Sequence, residues 1–191
     1  MTGYIHDGRP MFDIHTDRLD IRPLSESDET LFCKLLTDAD TMRYIGPQLS
    51  PERAARSFRM AVSLTRRRPA GRLFFSVAVR CVQRKIGICS IQQIDPVRRR
   101  AEVGVVLESF ARAKGFAKEI LPALVTRALA TLPVDELWLQ YSEHHSIAER
   151  LFVGAGFSRC PDPAAYGQRY DKRVWSACRS SAGQLVAANA Q

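Results

Sequence analysis

One six-residue stretch, Arg112-Ala113-Lys114-Gly115-Phe116-Ala117, constrains this chain more than any other. It lies between a strand-like run at 101–107 and an amphipathic helical segment. In that segment Ala117, Ile120, Leu121, Leu124, Val125, Ala128, Leu129 and Leu132 are spaced alternately by three and one, which places them on one helical face. A basic, glycine-containing turn therefore opens a helix directly after a strand. The first N–H groups of a helix have no internal acceptor, and the dipole there favours anions. Arg112 and Lys114 add charge, and Gly115 permits close approach to the backbone. The combination suits a pyrophosphate. An ordinary helix start with a flexible glycine would use the same residues, so other segments must decide.

Those six residues fit the pattern Q/R-x-x-G-x-G/A. Thr16-Asp17-Arg18-Leu19-Asp20-Ile21-Arg22-Pro23-Leu24 is similar to a TxRLxLRPL opening. Met42-Arg43-Tyr44-Ile45-Gly46 is similar to an MRYLG turn, and Arg99-Arg100-Ala101-Glu102-Val103-Gly104 to an RRAEIG strand. His145-x-x-Ala148-x-x-Leu151-Phe152-x-x-x-Gly156-Phe157 is similar to N-x-x-A-x-x-L-Y-x-x-x-G-F. In this order, between residues 16 and 178, the segments together resemble the GNAT N-acetyltransferases, specifically the RimJ/RimL-like branch.

The resemblance implies an α+β fold: a central mixed, mostly antiparallel twisted sheet of about seven strands flanked by about four helices. It implies acetyl-CoA as co-substrate and direct attack by a primary amine in a ternary complex. Arg112, Ala113, Lys114, Gly115, Phe116 and Ala117 carry over as the pyrophosphate loop. The family's fourth strand, here 101–107, parts from the fifth, and the pantetheine arm lies in the gap. Val105, Val106 and Leu107 then carry over as backbone contacts, or serve only as strand core.

Glu102 is the candidate general base. A carboxylate in an apolar run is costly unless it is paired or useful. A strand-surface charge paired to an arginine is the other reading. His145 stands where the family has Asn; an imidazole there either bonds the cofactor and titrates near neutrality, or faces water. Phe152 replaces the Tyr that in many relatives protonates the leaving thiolate, and Ala148 replaces a Ser common in the RimL-like branch. Phe152 is expected to pack near the thiol end of the cofactor without giving a proton. The acid is then left to Ser142, Ser146, His145 or water.

The chain has 191 residues, 46% of them apolar, enough for one domain with a sizeable core. The expected division is an N-terminal arm at 1–15, the acetyltransferase domain at 16–179 and a disordered tail at 180–191. Ser25 with Asp28, and Ser50 with Pro51, read as helix starts. Pro122 lies inside the long helical pattern and should kink it without breaking it. Gly156 reads as a helix C-cap. No apolar run approaches the ~18 residues of a membrane span, and the N-terminus lacks a signal-peptide pattern. The five cysteines are scattered with no C-x-x-C pair, which suits reduced thiols in the cytoplasm and no metal site.

Net charge is +8, with Arg66-Arg67-Arg68 and Arg98-Arg99-Arg100 as clusters. Such a surface attracts polyanions, or the clusters are solvated loop ends. Neither is interleaved with aromatics, which argues against nucleic acid. The expected acceptor is a small-molecule amine or an acidic protein or peptide N-terminus, read by regions near 30–66 and 160–172, in a monomer or homodimer. Two rival functions stay open. One is a sensor module that keeps the coenzyme cleft without chemistry; the other is a toxin acting on aminoacyl-tRNA.

Overall fold

The computed structural model describes residues 5–6, 9–10, 12–67, 69–142, 146–162, 166, 172–179 and 185–187. Four strands come first: β1 (Ile5–His6), β2 (Arg9–Pro10), β3 (Ile14–His15) and β4 (Leu19–Pro23). Helices α1 (Glu29–Thr37), α2 (Ala39–Met42) and α3 (Pro51–Arg66) follow. Strands β5 (Leu73–Val79), β6 (Arg84–Asp95) and β7 (Arg100–Leu107) then lead into α4 (Phe116–Thr131). The chain continues through β8 (Glu136–Ser142), α5 (Ser146–Gly154), β9 (Ser158–Arg159), β10 (Lys172–Arg179) and β11 (Leu185–Ala187).

The main sheet has nine strands in the order β11-β10-β8-β7-β6-β5-β4-β3, with β9 on β10. Its one parallel pairing among the described residues is β7 with β8; the other pairs are antiparallel. This is the mixed, mostly antiparallel α+β fold the sequence leads one to expect. The strands beyond the expected number are two- and three-residue pieces, too short to show a hydrophobic period. The segment read as an arm holds β1 to β3, and β11 pairs with β10 in the segment read as a tail.

Alternation along each strand decides what the sheet buries. Ala101, Val103 and Leu107 of β7 and Leu137 and Leu139 of β8 join one core with Ile120, Leu121, Leu124 and Val125 of α4. The opposite face packs Ile88 and Val106 against Leu31, Phe32 and Leu35 of α1 and Phe58 of α3. Each fully buried side chain of this size contributes about 2 kcal/mol. α3 begins as the sequence predicts, with Ser50 accepting from the Arg53 N–H at 3.4 Å and Pro51 in its first turn. Helix α4 runs unbroken through Pro122. Gly156, at φ +84°, closes α5.

Asp28 is wholly buried beneath the turn before α1. Arg22 grips it with both terminal nitrogens, at 2.9 and 2.8 Å, and Lys85 lies 2.7 Å away. The Ser25 N–H donates to it at 2.9 Å. Burial pushes the carboxyl up, but Arg22, Lys85 and the Ser25 N–H outweigh it and hold the pKa at about 2.

Candidate active site

Two long strands that start together and then part make the site. β7 and β8 pair only over Arg100–Glu102 and Glu136–Trp138. Both continue, β7 to Leu107 and β8 to Ser142, so a V-shaped cleft opens between 103–107 and 139–142. The unpaired edge of β7 offers backbone donors and acceptors to whatever lies in the cleft. Val105 and Val106 sit partly buried on that edge, and Leu107 closes it as part of the core. β6 presses closely on the same stretch. A Cβ on Gly87 would lie 2.4 Å from the Val106 carbonyl oxygen, so this approach requires glycine.

Beyond the open end of β7, a turn at Ser109–Ala111 leads through Arg112 to α4. Ala113 and Gly115 both adopt left-handed backbone, with φ of +58° and +79°. Such alternation turns successive N–H groups toward one point and forms an anion-binding concavity at the helix start. Gly115 is the N-cap residue of α4, and Phe116 and Ala117 begin the helix.

The side chains around this loop do work the sequence did not reveal. Arg112 is exposed but tied back to the fold. Its Nε donates to the Leu107 carbonyl at 3.1 Å and its Nη2 to the Thr41 hydroxyl at 2.6 Å. Lys114 is exposed, with its ammonium 5.9 Å from the Phe110 ring. Arg18 braces the loop from the far end of the chain: it donates to the Lys114 carbonyl at 3.2 Å, lies over the Phe116 ring at 4.7 Å and pairs with Glu119 at 2.7 Å. Glu119 also accepts from the Thr16 hydroxyl and the Arg18 N–H. Burial pushes the Glu119 carboxyl up, and these donors bring it below its usual range.

At the narrow end of the cleft sits Glu102, opposite Trp138. Its neighbours Ala101 and Val103 point into the core, so its own carboxylate faces the α1–α3 side. Among the described residues it has no arginine partner. Gln93 Nε2 donates to one oxygen at 2.6 Å and Gln140 Nε2 to the other at 3.4 Å. Gln93 is aimed by an irregularity in β6, where the register shifts between Gln92 and Asp95 and Gln93 takes φ +48°. The Gln140 Oε1 is buried and has no hydrogen-bond partner among the described residues. A pocket of about 520 Å³ opens alongside, lined by Gln93, Asp95, Arg98, Arg100, Trp138 and Tyr166.

Ser142 ends β8, buried and in register with Lys172. Ser142 and Gln140 share the Glu102 face, while Tyr141 turns to the α4 face. Phe152 packs partly buried against that core, its ring centroid 5.0 Å from that of Tyr141 and 6.4 Å from that of Phe157. His145 lies outside the described residues, as do the side chains of Ser146 and Ala148. The Arg98–Arg100 cluster is engaged locally. Arg98 pairs with Asp95, Arg99 with Asp135, and Arg100 lies over the Tyr166 ring.

A splayed parallel strand pair with an anion nest at its open end and a carboxylate at its closed end is the architecture of an acyl-CoA-dependent transferase. Residues 18–158 match the family model for the acetyltransferase (GNAT) domain. The chain belongs to the GNAT acetyltransferase family and is an N-acetyltransferase. It is 25% identical, over 78% of its length and 84% of the relative's, to an uncharacterised N-acetyltransferase p20 from Bacillus licheniformis. Among solved structures it is similar to spermidine N-acetyltransferase from Vibrio cholerae in complex with CoA and spermine. That likeness has a TM-score of 0.70 at 17% identity, covering 84% of this chain and 95% of that one. It is also similar to RimL, the ribosomal L7/L12 alpha-N-protein acetyltransferase, in complex with coenzyme A. There the TM-score is 0.71 at 16% identity, covering 85% and 95%.

Proposed function

We propose that this chain transfers the acetyl group of acetyl-CoA to a primary amine by direct attack in a ternary complex, as a RimJ/RimL-like enzyme of the cytoplasm. The parting of β7 from β8 after Glu102 and Trp138 carries this reading. The residues fit the donor. The left-handed Ala113 and Gly115 and the first turn of α4 suit a pyrophosphate, and the edge at Val105, Val106 and Leu107, where the Leu107 carbonyl already accepts from Arg112, suits the amides of a pantetheine arm.

At the closed end, Glu102 and the unpartnered Gln140 Oε1 provide two acceptors for an incoming ammonium. Glu102 takes the proton that the amine must lose before it attacks, directly or through water. Ser142 and His145 are the candidates the resemblance offers for returning a proton to the leaving group. The overall charge of +8 and the arginines beside the 520 Å³ pocket favour an acidic peptide N-terminus over a polyamine. Free, scattered cysteines agree with a reducing compartment.

Thiol release from acetyl-CoA, measured against separate pools of acidic N-terminal peptides, amino acids and polyamines, tests the acceptor class. Peptides should give the largest kcat/KM. A preference for polyamines would overturn the acidic-peptide assignment. Coenzyme binding without amine-dependent release in any pool would favour the sensor module.

A further inference from the structure

We propose that Tyr141 is the proton donor to the departing thiolate; the inference rests on the acetyl-transfer reading above. Glu102 and Trp138 are the last paired residues of β7 and β8. Three residues further along each strand stand Val105 and Tyr141, so Tyr141 lies in the parted half of β8, level with the middle of the free edge of β7. That edge, 103–107, is about 16 Å long at about 3.3 Å per residue. A coenzyme anchored by its pyrophosphate at Gly115 and extended along the edge brings its sulfur toward this level.

The chemistry of the wall narrows the choice. Alternation sends Leu139 and Tyr141 to the same side as Val103, Val105, Leu107 and Phe152. Of these described side chains, Tyr141 alone carries a proton on oxygen. Its ring is held by Phe152 at a centroid distance of 5.0 Å and a tilt of 57°, and only 8% of the residue is exposed. The phenol is therefore fixed in a low-dielectric wall, where a hydrogen bond to developing negative charge is strengthened. Ser142 leaves the same strand on the opposite face.

The step balances without another reactant. The amine nitrogen bonds to the acetyl carbon, and the carbon–sulfur bond breaks with its electron pair on sulfur. The Tyr141 hydroxyl gives its proton to that sulfur. Glu102 first passes the ammonium proton to solvent; the second proton, lost by the nitrogen on attack, then passes to Glu102 and, through water, restores the phenol. The products are the N-acetyl amine and free thiol.

Tyr141→Phe removes one oxygen and keeps the ring against Phe152. Turnover at saturating amine should fall by about a hundredfold, while KM for acetyl-CoA stays within about twofold. Adding Phe152→Tyr to that variant places a hydroxyl on the partner ring and should recover part of the loss. A merely structural Tyr141 would show a lowered Tm and no such rescue. Tyr141→Phe turning over within about twofold of the parent would overturn the proposal, above all if Ser142→Ala abolished turnover instead. If the parent chain itself releases no thiol with any amine, the acetyl-transfer reading fails, and this inference with it.

Discussion

Arg112 and Thr41 are joined by a hydrogen bond of 2.6 Å, and that bond ties the 112–117 loop to the helical cover of the opposite face. Thr41 sits in α2, where Asp38 accepts from its N–H at 2.8 Å and from its hydroxyl. Lys34 of α1 pairs with Glu108 at the end of β7 and makes a second tie. The loop and the helical cover are thus held by shared contacts. Occupation of one should be felt at the other.

Arg112→Lys keeps the charge but not the forked pair of bonds to Leu107 and Thr41. A charged hydrogen bond of this kind is worth about 1.5–3 kcal/mol. KM for acetyl-CoA should rise at least about tenfold, and KM for the amine should rise with it. Steady-state kinetics with both substrates varied gives the answer. A change in the coenzyme KM alone would show that the tie carries nothing to the acceptor side.

Gly115→Val places a β-branched residue at φ +79°. The nearest atom to the new Cβ is Arg18 Nη2 at 3.6 Å, so backbone strain dominates over crowding. The strain is about 1–2 kcal/mol, and it is relieved by turning the loop N–H groups away from the anion site. Calorimetric titration should show weaker acetyl-CoA binding in a protein that remains folded. Wild-type affinity in the folded variant would displace the coenzyme from this loop.

Glu102→Gln preserves shape and removes the base. Turnover should fall by about a hundredfold, with the coenzyme dissociation constant unchanged. A drop confined to coenzyme binding would make Glu102 a structural partner of Gln93 and Gln140.

Asp28 gives the fold a defined acid limit. Its folded pKa of about 2 lies below the ordinary value of 3.8, so the folded state binds the proton more weakly than the unfolded chain. The resulting stability, on the order of 2 kcal/mol, is present above pH 4 and lost as pH falls toward 2. Thermal melts should show Tm dropping across that window. In Asp28→Asn the decrease should be smaller, from a lower neutral starting point, because Arg22 and Lys85 then lack their counter-charge. Equal acid sensitivity in both proteins would remove Asp28 from the account.

Local signals made much of the fold readable. The spacing from Ile120 to Leu132 marked α4, Ser50-Pro51 marked the start of α3, and a strand-like run at 101–107 marked β7. The glycine turn at 112–117 stood out because its chemistry is contained in six neighbouring residues. The braces of the site are another matter. Arg18 and Glu119 are 101 positions apart, and Arg112 and Thr41 are 71 apart. No period or turn residue announces such pairs. Gln93 escaped notice because a register shift, invisible in the residue pattern, aims it at Glu102. Nothing in the residue pattern of β8 separates Tyr141 from an ordinary core position; its contact with Phe152 is a feature of the packing alone.

Phe152→Tyr alone should not speed the reaction. A buried hydroxyl without a partner costs about 1–3 kcal/mol, and Tyr141 already fills the donor's role in this account. Equal or mildly reduced turnover is expected. A large gain would mean that thiolate protonation limits the native protein and that part of its catalytic apparatus has been lost.

In the proposed reaction an amine in the cleft takes the acetyl group directly from the coenzyme. Single-turnover reaction with acetyl-CoA labelled in the acetyl group, followed by mass spectrometry of enzyme, amine and free thiol, tests it most directly. Direct transfer puts label on the amine nitrogen in one-to-one proportion with released thiol, and none on the protein. Label retained on the coenzyme, or thiol released at the same rate without amine, would contradict it.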